Sequence, residues 1–281
     1  MTDAALRVEM PSGKDAAYEN FPVGSWLLPA RLRPHIAVFY AFARAIDDIA
    51  DSPDLPPDEK VDRLDGFARA LHGDPTPGFD KGRAMGDSLR ATGTTPRHCL
   101  DLIAAFKQDA VKNRYADWDD LMGYCLLSAA PVGRYLLDLH GGSRDGYGPS
   151  DALCLALQVI NHLQDCQDDY RTLDRVYLPG DWLAAEGVTV SDLDRDAATP
   201  ALRRVLDRTL DATAGLMVEA RRLPRGLRSR RLAMESGAIV AIADRLIRRL
   251  RRDDPLGPRV ALNKAGFLGS SALGALRGLM A

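Results

Sequence analysis

Cysteines, long apolar runs and an excess of either charge are all scarce or missing in this 281-residue sequence. Its four cysteines include no C-x-x-C pair and lie in helical patterns. We therefore expect buried thiols in a reducing cytoplasm, without a disulfide framework or a zinc site. The longest uncharged runs, 121–133 and 152–164, are too short to cross a bilayer, which takes roughly 18 to 20 apolar residues. Residues 1–18 lack the basic start and apolar run of a signal peptide, so we expect a loosely ordered lead-in and a protein that is not exported.

The charge balance excludes one class of partner. Lysine and arginine total 37 and aspartate and glutamate 39, a formal net charge of −2, so the chain is not a generally basic nucleic-acid binder. Its 46% apolar and 27% charged residues are typical of a globular protein. No breaker-rich stretch is long enough to be an interdomain linker, which predicts one domain over 1–281.

Alternating β-branched runs are missing as well, whereas apolar residues recur at helical spacing along almost the whole chain. The predicted fold class is therefore all-α. Proline and glycine turns separate predicted helices over 31–51, 57–72, 81–92, 97–113, 118–140, 150–171, 200–222, 226–252 and 258–277.

What the sequence does contain is two acidic rows within apolar helical segments. The stretch AIDDIADSPD, residues 45–54, places Asp47 and Asp51 toward a helix end whose negative dipole opposes each carboxylate by about 0.3 to 1 kcal/mol. A similar pattern over 158–169 contains Asp165 and Asp169, with Asn161 one turn earlier. Four residues make about one helical turn, so the members of each row share a helix face.

Neighbouring polar residues fall outside these rows. Asp48 lies off the face of the first row, and we predict that it supports the ligands or faces solvent. His162 and Asp168 flank the second row but point elsewhere on a helix, so we expect ordinary structural roles for them.

Oxygen ligands of this kind suit a hard divalent cation. Mg²⁺ is usually held by one or two carboxylates together with water and substrate phosphates. Two rows that face each other would form a Mg²⁺–diphosphate clamp, whereas either row alone equally fits a solvated helix face. The presence of both rows, each at an unfavourable helix end in apolar surroundings, favours the clamp.

Further blocks around the rows resemble the squalene/phytoene synthase family of head-to-head prenyl transferases. Tyr40 and Arg44 precede the first row, the block YCLLSAAPVG at 124–133 looks like the central helix of that family, and DRVYLP at 174–179 follows the second row. The similarity runs in order from about Glu19 to Lys264. It implies a single all-α isoprenoid-synthase domain with a central active-site cavity, whose mouth carries both rows.

The resemblance also implies roles for individual residues. The ligands of two or three Mg²⁺ ions would be Asp47, Asp51, Asn161, Asp165 and Asp169. Catalytic positions near the diphosphate or the reacting carbons would be Tyr40, Arg44 and Tyr177. Substrate-binding positions would be Phe21, Tyr40, Arg44, Gln158, Gln164 and Arg175. For Tyr40 and Phe21, ordinary core packing is as good an interpretation as stabilisation of a carbocation.

Small residues in the central block leave two interpretations open. They either make room for a long hydrocarbon chain or allow close helix packing, with Pro131 bending the helix. The residues concerned are Gly123, Ser128, Ala129, Ala130 and Gly133.

The string ENFPVGSWLLP at 19–29 and Gln164 before Asp165 are most similar to the bacterial hydroxysqualene-forming members of hopanoid biosynthesis. Members that condense two diphosphates usually read N-x-x-R-D, whereas residues 161–165 read NHLQD. An enzyme that takes presqualene diphosphate holds one polyanion instead of two, so it can dispense with a cation at this position.

The activity implied is Mg²⁺-dependent conversion of presqualene diphosphate and water to hydroxysqualene and diphosphate, with upstream and downstream pathway enzymes as partners. No G-x-G-x-x-G follows a strand, and the resemblance does not extend to the membrane-anchored C terminus of reductive squalene synthases, so no NADPH is expected. One alternative is condensation of two farnesyl or geranylgeranyl diphosphates to presqualene diphosphate, dehydrosqualene or phytoene. Another is a non-catalytic assembly factor, which predicts eroded metal rows.

Arginines cluster at 221–231 and 248–252, ahead of the apolar tail AGFLGSSALGALRGLMA. With an apolar substrate, this pattern predicts peripheral contact of a cytoplasmic protein with the inner face of the membrane. Solvated helix faces are the alternative.

Overall fold

The chain divides into two compact units, Met1–Val111 and Lys112–Ala281. A computed structural model describes Val8 and residues 27–281. Phe21 lies outside the described residues. The single domain predicted over 1–281, with 1–18 as a lead-in, stays a prediction.

The first unit is helical throughout its described elements. Helix α1 (Arg33–Asp51) has Pro34 in its first turn, where a backbone N–H would have no hydrogen-bond partner within the helix. The helix ends before Ser52, which is extended and is followed by Pro53. Phe42 and Ile46 are fully buried on one face of α1, and the Phe42 ring meets Phe67 of α2 edge-on at 6.0 Å. This packing fixes the orientation of the acidic end of α1. The helices are α1 (Arg33–Asp51), α2 (Pro57–Leu71), α3 (Asp80–Thr92) and α4 (Arg97–Asp109).

The second unit is also mainly helical, with one small parallel sheet. In chain order the elements are β1 (Arg114–Tyr115), α5 (Trp118–Ser128), α6 (Ala130–Leu139), α7 (Gly148–Gln164), α8 (Cys166–Leu173), β2 (Val176–Pro179), α9 (Gly180–Ala185), a 3₁₀ helix (Val190–Asp194), α10 (Pro200–Ala220), α11 (Leu223–Gly226), α12 (Arg230–Leu250) and α13 (Lys264–Met280). Helix α7 packs against α6, α10 and α12. The all-α class is confirmed, and the strand pair, too short to show alternation, was not predicted.

Two predicted helices are each divided in the structure. The segment 118–140 breaks at Ala129, where Pro131 in the first turn of α6 cannot donate a backbone hydrogen bond. The segment 150–171 breaks at Asp165, between α7 and α8. Backbone bonds from Asp165 N to the Asn161 carbonyl (3.0 Å) and from Asp169 N to the Asp165 carbonyl (2.8 Å) keep the four-residue spacing of the second row across this break.

Among the small residues of the central block, Gly133 supports the interpretation of close helix packing, and room for a hydrocarbon chain stays a prediction. A Cβ added at Gly133 of α6 would lie 2.4 Å from Ser150 Oγ and 2.6 Å from Cys154 Sγ, both on α7. Gly133 therefore allows close packing of α6 on α7. A Cβ at Gly123 would meet nothing within 4 Å, so that position faces open space.

The cysteines are thiols, as expected. Cys99, Cys125 and Cys166 are buried and Cys154 is half-buried. Burial raises the pKa of the Cys99 thiol to about 12, which keeps it protonated and unreactive at neutral pH.

Helix α13 packs on α12 through small residues. Gly266, Ser270, Gly274 and Gly278 are buried at four-residue spacing. A Cβ at Gly274 would lie 2.2 Å from the Gly237 carbonyl oxygen of α12, so the two backbones are in direct contact. No helix among the described residues is long and apolar enough to span a membrane.

Candidate active site

The first acidic row lies at the C-terminal end of α1, in the first unit. Asp47 is 29% exposed and its Oδ2 lies 3.1 Å from Arg44 Nη1. Arg44 Nε also donates to Asp48 Oδ1 at 3.0 Å. One guanidinium therefore contacts two neighbouring carboxylates and balances one of their two negative charges. Asp51 is half-buried in the last turn of the helix.

Nearby positive charges explain why the C-terminal end of α1 can carry several aspartates. Besides Arg44, Lys60 of α2 donates to the Ala50 carbonyl at 2.8 Å and so places positive charge at the negative end of the α1 dipole. Asp48 is only 8% exposed. Of the two roles predicted for Asp48, the solvent-facing one is wrong, because its carboxylate is buried against Arg44.

The second acidic row lies at the junction of α7 and α8, in the second unit. Arg259, from the segment between α12 and α13, donates to both carboxylate oxygens of Asp165, with Nε–Oδ1 at 2.6 Å and Nη2–Oδ2 at 3.1 Å. Asn161 and Asp169 are half-buried beside it. Arg259 thus supplies this row with a cation from another part of the chain, while the hypothesis that the enzyme dispenses with a cation at position 164 stays a prediction.

Gln164 has a different contact from the one that its place in the row suggests. Its side chain is 4% exposed, and its Nε2 donates to the Val260 carbonyl in a buried hydrogen bond. Because Val260 follows Arg259, this bond anchors the backbone of the segment that presents the guanidinium. Substrate binding by Gln164 stays a prediction.

An aromatic cluster surrounds Tyr177 of β2. The Tyr177 ring stacks on His162 of α7 at 3.5 Å with an interplanar angle of 13° and on Tyr115 of β1 at 5.5 Å. Tyr124 of α5 lies 5.6 Å from Tyr177. Asp174, in the left-handed region with φ of 52°, turns the chain from α8 into β2 and thereby sets the position of Tyr177.

His162 is electrically neutral in this cluster. Burial, together with the smaller effect of the nearby positive charge of Arg175, lowers the pKa of His162 to about 3. Within the described part of the chain, His162 Nε2 has no hydrogen-bond partner. The neutral ring is consistent with the structural role expected for His162, here as the stacking partner of Tyr177.

The remaining candidates lie near these groups. Tyr40 is on α1, one turn before Arg44, and Gln158 is on α7, one turn before the second row; both are half-buried. Arg175 is 5% exposed, and its backbone N–H donates to the Asp169 carbonyl at 3.1 Å. The structure thus brings together the candidates of each unit, and the clamp between the two rows stays a prediction.

Sequence reasoning missed Arg259, Lys60 and Tyr115. Arg259 and Lys60 act through contacts made on folding, which leave no local spacing signal. Tyr115 follows a basic run in a strand of only two residues, Arg114–Tyr115, which is too short to show a period.

The donor set fits a hard cation. Among the described residues, no group of three or more His, Cys, Asp or Glu side chains is arranged to hold a metal ion by itself. Each row offers carboxylate oxygens, and the second adds an amide oxygen, without sulfur ligands. Such a set suits Mg²⁺, whose remaining positions are filled by water and phosphate oxygens.

Comparison with known proteins identifies the family. Residues 15–265 match the squalene/phytoene synthase family. The chain is 44% identical over 270 residues to hydroxysqualene synthase of Rhodopseudomonas palustris, covering 95% of this chain and 90% of that protein. It is 40% identical over 260 residues to hydroxysqualene synthase of Zymomonas mobilis, covering 92% and 87%. A solved squalene synthase from Alicyclobacillus acidocaldarius superposes with a TM-score of 0.73 at 34% identity, covering 86% of this chain and 90% of that one.

The helical fold and its solved relatives define an enzyme of the isoprenoid-synthase class. Within that class, the chain belongs to the squalene/phytoene synthase family.

Proposed function

We propose that the protein converts presqualene diphosphate and water to hydroxysqualene and diphosphate, with Mg²⁺ and without NADPH, in hopanoid biosynthesis. The observation that carries this proposal is the similarity to two hydroxysqualene synthases, at 44% and 40% identity over more than nine-tenths of the chain. Partners that deliver the substrate or take the product belong to the same proposal.

The chain's own groups suit ionisation of a prenyl diphosphate. Negative charge develops on the leaving group, and the guanidinium that contacts each row, Arg44 or Arg259, would stabilise that charge. The acidic rows would hold Mg²⁺, which neutralises the diphosphate. The rings of Tyr115, Tyr124 and Tyr177 offer π electrons to a carbocation without a strong nucleophile.

The test is a pair of incubations with purified protein and Mg²⁺ in the absence of NADPH. Presqualene diphosphate is expected to give hydroxysqualene, and farnesyl diphosphate alone is expected to give no lipid product. Mass spectrometry of the extracted lipids measures both results, with Asp165→Asn and a chelator-treated sample as blanks. The reverse pattern would show a condensing enzyme and contradict the proposal.

We also propose that α13 contacts the inner face of the cytoplasmic membrane. Because its small residues face α12, its large apolar residues point outward, with exposures from 49% to 71%. These residues are Leu268, Leu273, Leu276, Leu279 and Met280. An outward apolar helix face next to arginines suits an interface with anionic lipid.

The arginines support only part of this proposal. Four of them pair with acids in the same unit: Arg221 with Asp244, Arg222 with Glu219, Arg249 with Asp253 and Arg251 with Asp211. Their charge is already balanced, so these four fit the solvated-face interpretation. Apolar contact by α13 therefore carries the proposed attachment.

We expect the protein to pellet with vesicles that contain an anionic lipid at low salt. Leu276→Glu should weaken this binding about tenfold or more, because burying one leucine contributes about 1.5 to 3 kcal/mol. Val218→Glu is the matched control, because Val218 is also an exposed apolar residue (68%, against 52% for Leu276) but lies on α10. If the two variants bind vesicles alike, or wild type does not pellet, α13 is not a membrane surface.

A further inference from the structure

The contact between Arg259 and Asp165 occupies both oxygens of one predicted metal ligand. Nε and Nη2 of Arg259 each take one carboxylate oxygen, which is the two-point geometry of a strong arginine–carboxylate pair. The two side chains are 29% and 22% exposed, so solvent screens them less than a pair at the surface. A metal ion that binds Asp165 must displace this guanidinium or share the carboxylate with it.

The backbone that carries Arg259 is anchored on both sides. Val260 is 2% exposed and its carbonyl accepts the buried bond from Gln164. On the preceding side, Leu256 is 3% exposed and its backbone N–H donates to Asp254 Oδ1 at 3.0 Å. The Arg259 side chain can therefore change partner while its Cα stays in place.

A diphosphate offers the partner that a displaced guanidinium needs. Arginine binds phosphate oxygens in the same two-point geometry as carboxylate oxygens. Gln164, next to Asp165, has no charge with which to perform this role. The Arg259 guanidinium can thus move from Asp165 to a diphosphate that binds at the second row.

We propose that Arg259 holds Asp165 in the free enzyme and transfers to the substrate's diphosphate when the metal binds, so that metal and diphosphate binding are coupled. The inference rests on the proposed function only in requiring a diphosphate at the second row. A metal ion that binds alone breaks the contact between Arg259 and Asp165, and the guanidinium gains no new partner. When diphosphate binds as well, the guanidinium contacts the phosphate oxygens instead. Linkage then requires each ligand to strengthen the binding of the other.

Arg259→Gln separates this role from a purely structural one, because glutamine keeps a hydrogen-bond donor but removes the charge. In this variant no guanidinium competes for Asp165, so Mn²⁺ alone should bind several-fold tighter than it binds to wild type. Electron paramagnetic resonance of the free ion measures this affinity. Inorganic pyrophosphate at saturating Mg²⁺ should bind about tenfold weaker by calorimetry, because a charge-assisted two-point contact is lost. Arg259→Lys, which keeps the charge, should restore part of the pyrophosphate affinity.

Arg251→Gln is the matched control, since Arg251 also pairs with an aspartate, Asp211, at 2.6 Å. It should leave both affinities unchanged. The proposed exchange of partners would be overturned if Arg259→Gln bound Mn²⁺ and pyrophosphate with the same affinities as wild type. It would also be overturned if the substitution lowered both the Mn²⁺ affinity and the pyrophosphate affinity. These binding results do not depend on which lipid the enzyme makes, so a different product would contradict the proposed function and leave this inference in place.

Discussion

Asp165→Asn is expected to lower the rate of diphosphate release by about a hundred- to a thousandfold. The charge of a metal ligand contributes several kcal/mol to stabilisation of the transition state, and each step of about 1.4 kcal/mol in activation free energy changes the rate tenfold. Asp47→Asn should have an effect of similar size in the first row. Asparagine keeps the shape and one oxygen of each ligand but removes its charge. Initial rates at saturating Mg²⁺ and substrate measure the loss.

Both variants should remain folded. From the sequence alone, removal of these repelling acids is expected to leave the fold intact or stabilised, and the structure favours the first outcome. Asp47 pairs with Arg44 and Asp165 pairs with Arg259, so each substitution removes a partly exposed ion pair worth about 0 to 1 kcal/mol. Thermal unfolding should therefore change little.

Asp168→Asn is the control for both variants, because Asp168 is exposed beside the second row and belongs to neither row. It should retain full activity. A loss of rate in Asp168→Asn as large as in Asp165→Asn, or unfolding of Asp165→Asn, would mean that these aspartates are structural.

Gly274→Ala is expected to destabilise the packing of α13 on α12. The added Cβ would lie 2.2 Å from the Gly237 carbonyl oxygen, which forces two backbones apart. Overpacking of this kind costs about 1 to 3 kcal/mol and exceeds the gain of roughly 1 kcal/mol that alanine brings to a helix. Urea denaturation and the rate of proteolytic cleavage before α13 measure the effect.

Gly269→Ala provides a comparison within the same helix. A Cβ at Gly269 meets nothing within 4 Å, so only the gain in helix propensity remains, and stability should hold or rise by up to about 1 kcal/mol. The two substitutions are therefore expected to have opposite signs. Destabilisation of the same size by both would mean that the close approach at Gly274 is not what holds α13.

The fold class was predictable from the sequence because helical periodicity is local. Apolar residues such as Phe42 and Ile46 recur at helical spacing, and their burial against α2 follows from that spacing. The break at Asp165 was not predictable, since no proline or glycine marks it and the four-residue backbone bonds continue through it. The strands β1 and β2 pair across more than 60 residues of chain, which no local pattern encodes.

The spacing within each acidic row was predictable for the same reason. The spacing of Asp165 and Asp169 indicates a shared face whether or not the helix is continuous. The environment of each ligand was not predictable. Asp48 sits one position from Asp47 in an acidic run, and only packing shows that it is buried against Arg44.

By itself, the sequence determined the helical class, the two acidic rows and their suitability for a hard cation, because these depend on residue type and on spacings within one helix. Arg44 lies three and four positions from Asp47 and Asp48 on one helix, whereas only the tertiary structure decided that Arg259 lies at the second row. Arg259 is 94 positions from Asp165, and the two meet because α12 and the segment after it return the chain to the end of α7. A contact of that separation is selected by packing of the whole unit, whereas the period of a helix specifies only which of its own residues share a face.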